Sequence, residues 1–358
     1  MQRDGDDGPQ SRSLLRALAP VGMLLLLAQS MQPACAGAEW PSRPVSPNRD
    51  PQLDVEAFGA VADNRTDNKH AIAKALAACA AAHGCTLTFP GPGIYVSGPI
   101  ALVSNLTLVV AEGATLHGAR STAGWPVLPW PEWPSKPNGN SPVGGGQLGP
   151  YMEPNGSFIG WFRGYNVSDV TVTGGGTLDG GGSLWRNLCA RGANQCPALP
   201  QRPYMLHFEG MERVHLSNLR VQNSGFWTVH FQYSAEILVE KLSVYNPAGG
   251  NADGIDIDSS RNALVRESTW DVGDDMLCVK SGKTWAAWGP TNRSKADEMP
   301  IVRVPSENIL FIDNECRAGG GKCFPRIPPL ILLCVCARVS VCLCACVPVC
   351  LSVCWGCN

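Results

Sequence analysis

Three carboxylates near the middle of the chain have a spacing that can support acid–base chemistry. Asp253 precedes the adjacent pair Asp274 and Asp275, and positions 253 and 275 differ by 22. If each repeat of that length is one coil of a stacked parallel sheet, residues one coil apart lie roughly 4.8 Å apart. Carboxylates this close cannot all ionise, so one of them keeps its proton near neutral pH. A protonated carboxyl beside ionised carboxylates is what acid-assisted glycoside hydrolysis requires.

A structural interpretation stands beside this chemical one. Each of the three aspartates, and Asp256 with them, is also typical of a turn or a solvated loop. For any single aspartate the structural interpretation is the stronger one. Three of them in register, with Gly254 and Gly273 directly beside them, favour chemistry.

The carboxylates lie within a repeating pattern of short strands. A five-residue frame (polar, then Asn/Asp/Glu/Arg, then apolar, any, apolar) occurs at 104–108, 168–172, 212–216, 261–265 and 307–311, and at 235–239 with Ala in the first position. From the second frame onward, successive frames are one or two units of about 22 to 26 residues apart. This period is typical of a leucine-rich repeat or a parallel β-helix, and the absence of a Leu-x-x-Leu-x-Leu pattern favours the β-helix.

An N-terminal cap is predicted ahead of the repeats. Residues 55–60 have a strand-like pattern, residues 71–82 form an Ala-rich helical pattern, and residues 86–90 again indicate a strand. Cys79 and Cys85 are placed to join the end of the helix to that strand, if the protein is secreted. His230, which follows an apolar stretch, is interpreted as a packed histidine rather than a catalyst.

The motifs around the carboxylates resemble those of glycoside hydrolase family 28, the polygalacturonases. Residues 251–256 (Asn-Ala-Asp-Gly-Ile-Asp) are similar to the family's Asn-Thr-Asp block, with Ala252 in place of Thr. Residues 273–275 (Gly-Asp-Asp), followed by Lys-Ser-Gly at 280–282, are similar to its Gly-Asp-Asp block. The resemblance runs from about Val55 to Gly320, and the family's Gly-His-Gly and Arg-Ile-Lys blocks have no counterpart in this sequence.

The resemblance implies a fold and a set of roles. The expected fold is all-β: a single-stranded right-handed parallel β-helix with an N-terminal capping helix. The implied activity is hydrolysis of α-1,4-galacturonosyl bonds in a polyuronide such as pectin, with inversion, by Asp274 as general acid and Asp253 and Asp275 as the residues that activate water. Asn251, in the first block, is the implied substrate-binding residue. The family's Arg and Lys that grip the uronate carboxylate have no counterpart, so Lys280 is offered for that role as the nearby cation, with a solvated strand position as an equal alternative.

Other functions remain open at this point. A one-coil separation is itself nearer to that of retaining enzymes, so inversion rests on the resemblance alone. A polysaccharide-binding β-helix without turnover is favoured by the missing His and Arg-x-Lys. A lyase on the same scaffold would need a calcium site and an arginine base. We expect no metal or cofactor, and a monomer whose partner is the polysaccharide.

Composition and the N-terminus indicate a secreted protein. A net charge of −2 gives no electrostatic footprint for nucleic acid or an anionic membrane. Residues 1–38 are predicted to be a signal peptide, because a short apolar centre at 21–28 is followed by small residues at 36–38. A Pro-rich linker at 39–54 and a β-helix hydrolase domain at 55–320, incomplete at its C-terminus, are expected to follow.

The last segment, residues 321–358, has a different composition. Nine of the 16 cysteines lie from Cys323 onward, interleaved with Val. A TG dinucleotide repeat in DNA encodes Cys and Val in its two reading phases. The codons for Gly321-Lys322 can also contain a splice-donor sequence. The segment is therefore interpreted as translated intron. A membrane anchor at 327–355 is the less favoured alternative, and a metal-binding tail less favoured still. A chain cut short here is expected to leave an open strand edge and to have doubtful activity.

Overall fold

The computed structural model describes residues 41, 48–128, 157–188, 200–247, 250–280 and 305–317, together with the backbone of three short strands beyond them. The predicted signal peptide at 1–38 and most of the segment at 321–358 lie outside the described residues. Over the described ranges, no helix is long and apolar enough to cross a bilayer.

The strands form a right-handed parallel β-helix made of two large sheets, as predicted. Strands are numbered in chain order. The 15-stranded sheet A contains β1 Gln52–Asp54, β2 Asp63–Asp67, β3 Cys85–Phe89, β4 Gly93–Ser97, β6 Leu106–Val110, β7 Ala114–Gly118, β11 Ser168–Thr173, β12 Thr177–Asp179, β14 Glu212–Gln222, β16 Ala235–Asn246, β18 Arg261–Arg266, β19 Thr269–Val272, β21 Glu307–Ile312, β22 Glu315–Cys316 and β23 Leu333–Val335. The eight-stranded sheet B contains β5 Ile100–Ala101, β10 Phe162–Tyr165, β13 Leu206–Glu209, β15 Val229–Gln232, β17 Ile255–Asp258, β20 Leu277–Lys280, β24 Leu343–Ala345 and β25 Leu351–Val353. A separate hairpin pairs β8 Val127–Leu128 with β9 Ser157–Phe158.

The repeating frames of the sequence become stacked strands in register. Their first apolar residues pair coil upon coil in the order Leu106, Val170, Val214, Ile237, Ala263 and Ile309. All six are buried, because alternate residues of a strand point to the same side and this side is the interior of the helix. The frame therefore predicted both the strands and the core.

The second position of each frame explains why the chain turns there. Six residues share a positive φ, between 54° and 61°: Asn105, Asp169, Arg213, Glu236, Asn262 and Asn308. A left-handed residue bends the backbone sharply before the strand begins, and Asn and Asp tolerate it better than most side chains. A second bend within sheet A recurs at Asn218, Lys241, Glu267 and Asp313, also at positive φ. These bends turn each coil around the core.

The N-terminal end is capped as the sequence predicts, with two differences. Helix α1, Lys69–Ala81, buries Ile72 and Leu76, and Cys79 and Cys85 form a disulfide. Val55–Phe58 is a 3-10 helix rather than a strand, because the Asp54 carboxylate accepts the Glu56 N–H and starts a helical turn. Furthermore, the last three residues of the predicted 39–54 linker form β1, which pairs with β3.

The far end of the described helix carries short antiparallel additions. β21 and β22 form the last partial coil of sheet A, paired with β18 and β19. The backbone of β23 pairs with β21, and that of β24 with β20, both antiparallel. These two strands therefore occupy the edges that we expected to be open. A second helix, α2 Gly182–Leu188, follows β12.

Candidate active site

The stacking of coils brings Asp253 beside the Asp274–Asp275 turn. The Gly254 N–H donates to the Asp275 carbonyl (2.8 Å), and β17 continues in register with β20 from Ile255 opposite Leu277. On its other side, the Asp253 carbonyl accepts the Thr228 N–H (2.8 Å). Asp253 thus lies between two neighbouring coils, one coil away from Asp275, as the 22-residue offset predicts.

Asp274 and Asp275 lie in the short turn between β19, which ends at Val272, and β20, which begins at Leu277. Asp274 is exposed and Asp275 half-buried. The Asp275 N–H donates to Asp274 Oδ1 (3.0 Å), and the Asn251 N–H also donates to the Asp274 carboxyl. Because the two residues lie in a turn rather than in a strand, they need not point to opposite faces.

The environment of Asp274 favours its protonated form. Its pKa is raised, first because neighbouring protein atoms displace water even from this exposed carboxyl, and then because of the negative charge of Asp275. The Asp275 N–H and the charge of Lys280 oppose this rise. A carboxyl with a raised pKa and an accessible position can act as a proton donor.

Asp253 is buried, with 4% of its surface exposed. Its Oδ2 accepts a hydrogen bond from the Lys280 ammonium (3.1 Å), whereas its Oδ1 has no hydrogen-bond partner among the residues that the structure describes. Burial raises the pKa of Asp253 well above its ordinary value, and the nearby Asp256 raises it further, while Lys280 lowers it. Asp253 Oδ1 is therefore a buried oxygen that no protein hydrogen bond from the described residues engages.

The two predicted substrate-binding residues belong to a buried cluster. The Lys280 ammonium contacts the carboxylates of Asp253 and Asp256 and lies 3.8 Å from the centre of the Trp227 ring. The same indole donates to Asn251 Oδ1 (3.1 Å). Both Lys280 and Asn251 are brought to the aspartates, as predicted, but the Lys280 ammonium is directed at carboxylates of the protein, and only 3% of the residue is exposed.

Several polar residues next to this cluster were not singled out as functional by the sequence. Asp256 lies between His230 on one side and Cys278 on the other in the register of sheet B. His230 is buried and stacks on His207 with ring centres 5.1 Å apart, so its interpretation as a packed histidine is confirmed. Tyr204 packs against both rings. Their signal in the sequence is the two-residue alternation of β13, β15 and β17, whose outward positions are polar yet buried.

The arrangement combines a proton donor with proton acceptors. Asp274 can protonate a leaving group, and Asp253 and Asp275 can take a proton from a nucleophilic water. Over the described ranges, no group of three or more His, Cys, Asp or Glu side chains could hold a metal ion. The chemistry that these residues support is acid–base hydrolysis of a bond whose leaving atom must be protonated.

Comparisons with known proteins agree with this chemistry. The model of the family "Glycosyl hydrolases family 28" matches residues 143–322, half of the chain. A Vitis vinifera protein named "Probable polygalacturonase" is 29% identical over 271 residues, which cover 73% of this chain and 51% of the relative. The exo-poly-alpha-D-galacturonosidase of Dickeya chrysanthemi is 22% identical over 310 residues, 75% of this chain and 46% of the relative. The chain therefore spans about half the length of these curated relatives.

Solved structures share the fold. The exopolygalacturonase of Thermotoga maritima superposes with a TM-score of 0.58 at 20% identity, covering 76% of this chain and 62% of that one. The polygalacturonase of Erwinia carotovora ssp. carotovora gives a TM-score of 0.54 at 20% identity, with 77% and 65% coverage. At these identities the likeness concerns the path of the backbone.

Proposed function

Because this chain belongs to glycosyl hydrolase family 28, we propose that it is a polygalacturonase-type enzyme that hydrolyses α-1,4-galacturonosyl bonds of a polyuronide with inversion. The observation that carries the proposal is the hydrogen bond from the Gly254 N–H to the Asp275 carbonyl, which holds Asp253 beside the Asp274–Asp275 turn. The names of the relatives support the substrate class.

The reaction follows from the two environments in the site. The Asp274 carboxyl donates its proton to the glycosidic oxygen as the bond between that oxygen and the anomeric carbon breaks. A water oxygen forms the new bond to the anomeric carbon from the opposite face, and its proton passes to the carboxylate of Asp253 or Asp275. The products are a sugar with a free reducing end and a shortened chain, and Asp274 regains a proton from solvent.

The place of action is part of the same proposal. A polyuronide of a cell wall is a polymer outside the cell, so the enzyme that cleaves it must be secreted. The apolar segment and small residues at 1–38 support secretion. The disulfide between Cys79 and Cys85 also supports it, because disulfides persist in oxidising compartments.

The test is hydrolysis of polygalacturonate by the purified full chain. We expect reducing ends to be released without any ultraviolet-absorbing unsaturated product, and the first product to have the inverted anomeric configuration by NMR. Unsaturated product would instead support a lyase. Binding of the polymer without release of reducing ends would support a non-catalytic carbohydrate-binding β-helix and contradict the proposal.

A substitution at the proton donor sharpens this test. Asp274→Asn keeps the shape of the side chain and removes its transferable proton, so activity should fall roughly 10²- to 10⁴-fold while the thermal transition is retained. The matched control is Asp313→Asn, which neutralises an exposed aspartate at φ 53° in a bend of sheet A, a conformation that Asn tolerates. Equal activity in the two variants would remove Asp274 from the mechanism.

A further inference from the structure

We propose that Lys280 is a positioning residue for catalysis: its ammonium, held between the Trp227 ring and the carboxylates of Asp253 and Asp256, favours the ionised form of Asp253 and fixes its Oδ2, so that Oδ1 is the oxygen left to accept a proton. The inference deepens the proposed hydrolase function and rests on it. It gives Lys280 a role inside the protein in place of a direct contact with the substrate.

The geometry of the ammonium leaves it little freedom. Besides the carboxylates, Lys280 Nζ lies 3.2 Å from Cys278 Sγ and 3.8 Å from the centre of the Trp227 ring. The backbone is held as well, because the Lys280 carbonyl accepts the Ser306 hydroxyl (2.7 Å). An ammonium enclosed on these sides cannot turn towards a substrate without leaving two buried carboxylates without their cation, which is strongly unfavourable.

The charges around Asp253 make the lysine necessary. From the elements packed against it, Asp253 faces Asp256, Asp274 and Asp275, with His230, Tyr204 and Lys280 in the same cluster. Three carboxylates and a buried site all favour the protonated form of Asp253, in which it could not accept a proton. Lys280 supplies the positive charge that opposes them, and its bond to Oδ2 leaves Oδ1 as the oxygen without a hydrogen bond from the described residues.

Two substitutions separate this role from a merely structural one, because they move the Asp253 pKa in opposite directions. Lys280→Met removes the ammonium, so the acid limb of the kcat/KM pH profile should move to higher pH by about one unit or more. Asp256→Asn removes a competing carboxylate and leaves Lys280 to Asp253 alone, so the limb should move to lower pH. The double variant Lys280→Met/Asp256→Asn should lie between the two single variants.

The same shifts can be measured without catalysis. In protein labelled with ¹³C at the aspartate carboxyls, the signal that disappears in Asp253→Asn identifies Asp253, and its titration is followed in each variant. Opposite shifts of this signal in Lys280→Met and Asp256→Asn support the inference, whether or not the chain hydrolyses polygalacturonate. If the wild-type chain releases no reducing ends, the hydrolase proposal fails and the titration still decides the role of Lys280.

Two results would overturn the inference. The first concerns Asp256→Asn, a variant that keeps the Lys280–Asp253 pair and should fold. It is a pKa of Asp253 and an acid limb of the pH profile that both stay within about 0.3 pH units of the wild-type values. The other is a Lys280→Met variant with unchanged kcat and pH profile but a raised KM. That result would make Lys280 a substrate ligand. If Lys280→Met does not fold, the double variant Lys280→Met/Asp256→Asn, compared with Asp256→Asn, provides the decision: an Asp253 titration that is the same in both contradicts the inference.

Discussion

Replacing Gly254 by Ala should disrupt the point where two coils approach most closely in the site. A β-carbon at position 254 would lie 2.4 Å from the Met276 carbonyl oxygen and 2.9 Å from the Trp270 ring. Overpacking a dense interior costs about 1–3 kcal/mol. Because a backbone carbonyl cannot rotate away as a flexible side chain would, we expect the upper part of this range, about 3 kcal/mol.

The expected effects of Gly254→Ala on stability and on activity differ in size. For a domain of this size, about 3 kcal/mol corresponds to a fall in Tm of roughly 6–12 °C. Activity should fall further than the folded fraction does, because the β-carbon also forces apart the Gly254 N–H and the Asp275 carbonyl, which hold the aspartates together. Calorimetry gives the first quantity, and kcat at a temperature well below the transition gives the second.

Gly98→Ala is the matched control for this substitution. Gly98 is also buried, but a β-carbon there meets only the flexible Lys69 side chain, at 3.4 Å. We expect its Tm to stay within about 2 °C of wild type and its kcat to be unchanged. A Gly254→Ala protein with a wild-type Tm and kcat would refute the argument that close coil contact at Gly254 assembles the site.

Three other substitutions test the energetics of the described helix. Burial raises the pKa of Glu209 to about 7 from its ordinary value of 4.5, against the opposing charge of Arg163, so the folded state binds an extra proton between these pH values. The free energy of unfolding of the wild type should therefore fall as pH rises from 5 to 8. In Glu209→Gln, urea unfolding at pH 5 and pH 8 should show a fall that is smaller by up to about 3 kcal/mol. Trp270→Ala empties a fully buried position of the core and should destabilise by about 3–5 kcal/mol in the same assay. Cys79→Ala opens the short loop closed by Cys85 and should cost roughly 2 kcal/mol, an effect that reduction of the wild-type protein should reproduce.

The core could be predicted from the sequence because one local rule generates it. Each frame places a residue that accepts a left-handed turn, as at Asn262 or Asn308, before two apolar residues that must face the same side. Stacking then follows from backbone hydrogen bonding, and the 22-residue offset between Asp253 and Asp275 becomes contact between adjacent coils. These features depend only on residue type and spacing, so one sequence suffices to find them.

One strand of the cap, β2, was harder to predict because it is stabilised by the backbone rather than by apolar side chains. β2 contains no apolar residue and all five of its residues are exposed, yet it pairs with β4 at the edge of sheet A. Conversely, Val55 is buried and suggested a strand, but the Asp54 carboxylate captures the Glu56 N–H and starts a 3-10 turn. A pattern of hydrophobicity cannot predict an edge strand that buries nothing.

The site also has features that could be predicted from the sequence and features that could not. The stacking of coils determines where the aspartates lie, whereas neighbouring side chains determine their environment. Asp253 and Asp275 meet because the coil register brings them together, so their proximity is a property of the fold. The environment of the Asp253 carboxylate is not: it includes Lys280, which lies at an outward position of β20 where strand alternation predicts solvent. There the ammonium is instead enclosed by Trp227 and two carboxylates. Spacing along the chain therefore locates the carboxylates, whereas their chemistry depends on a buried cation that spacing alone places in water.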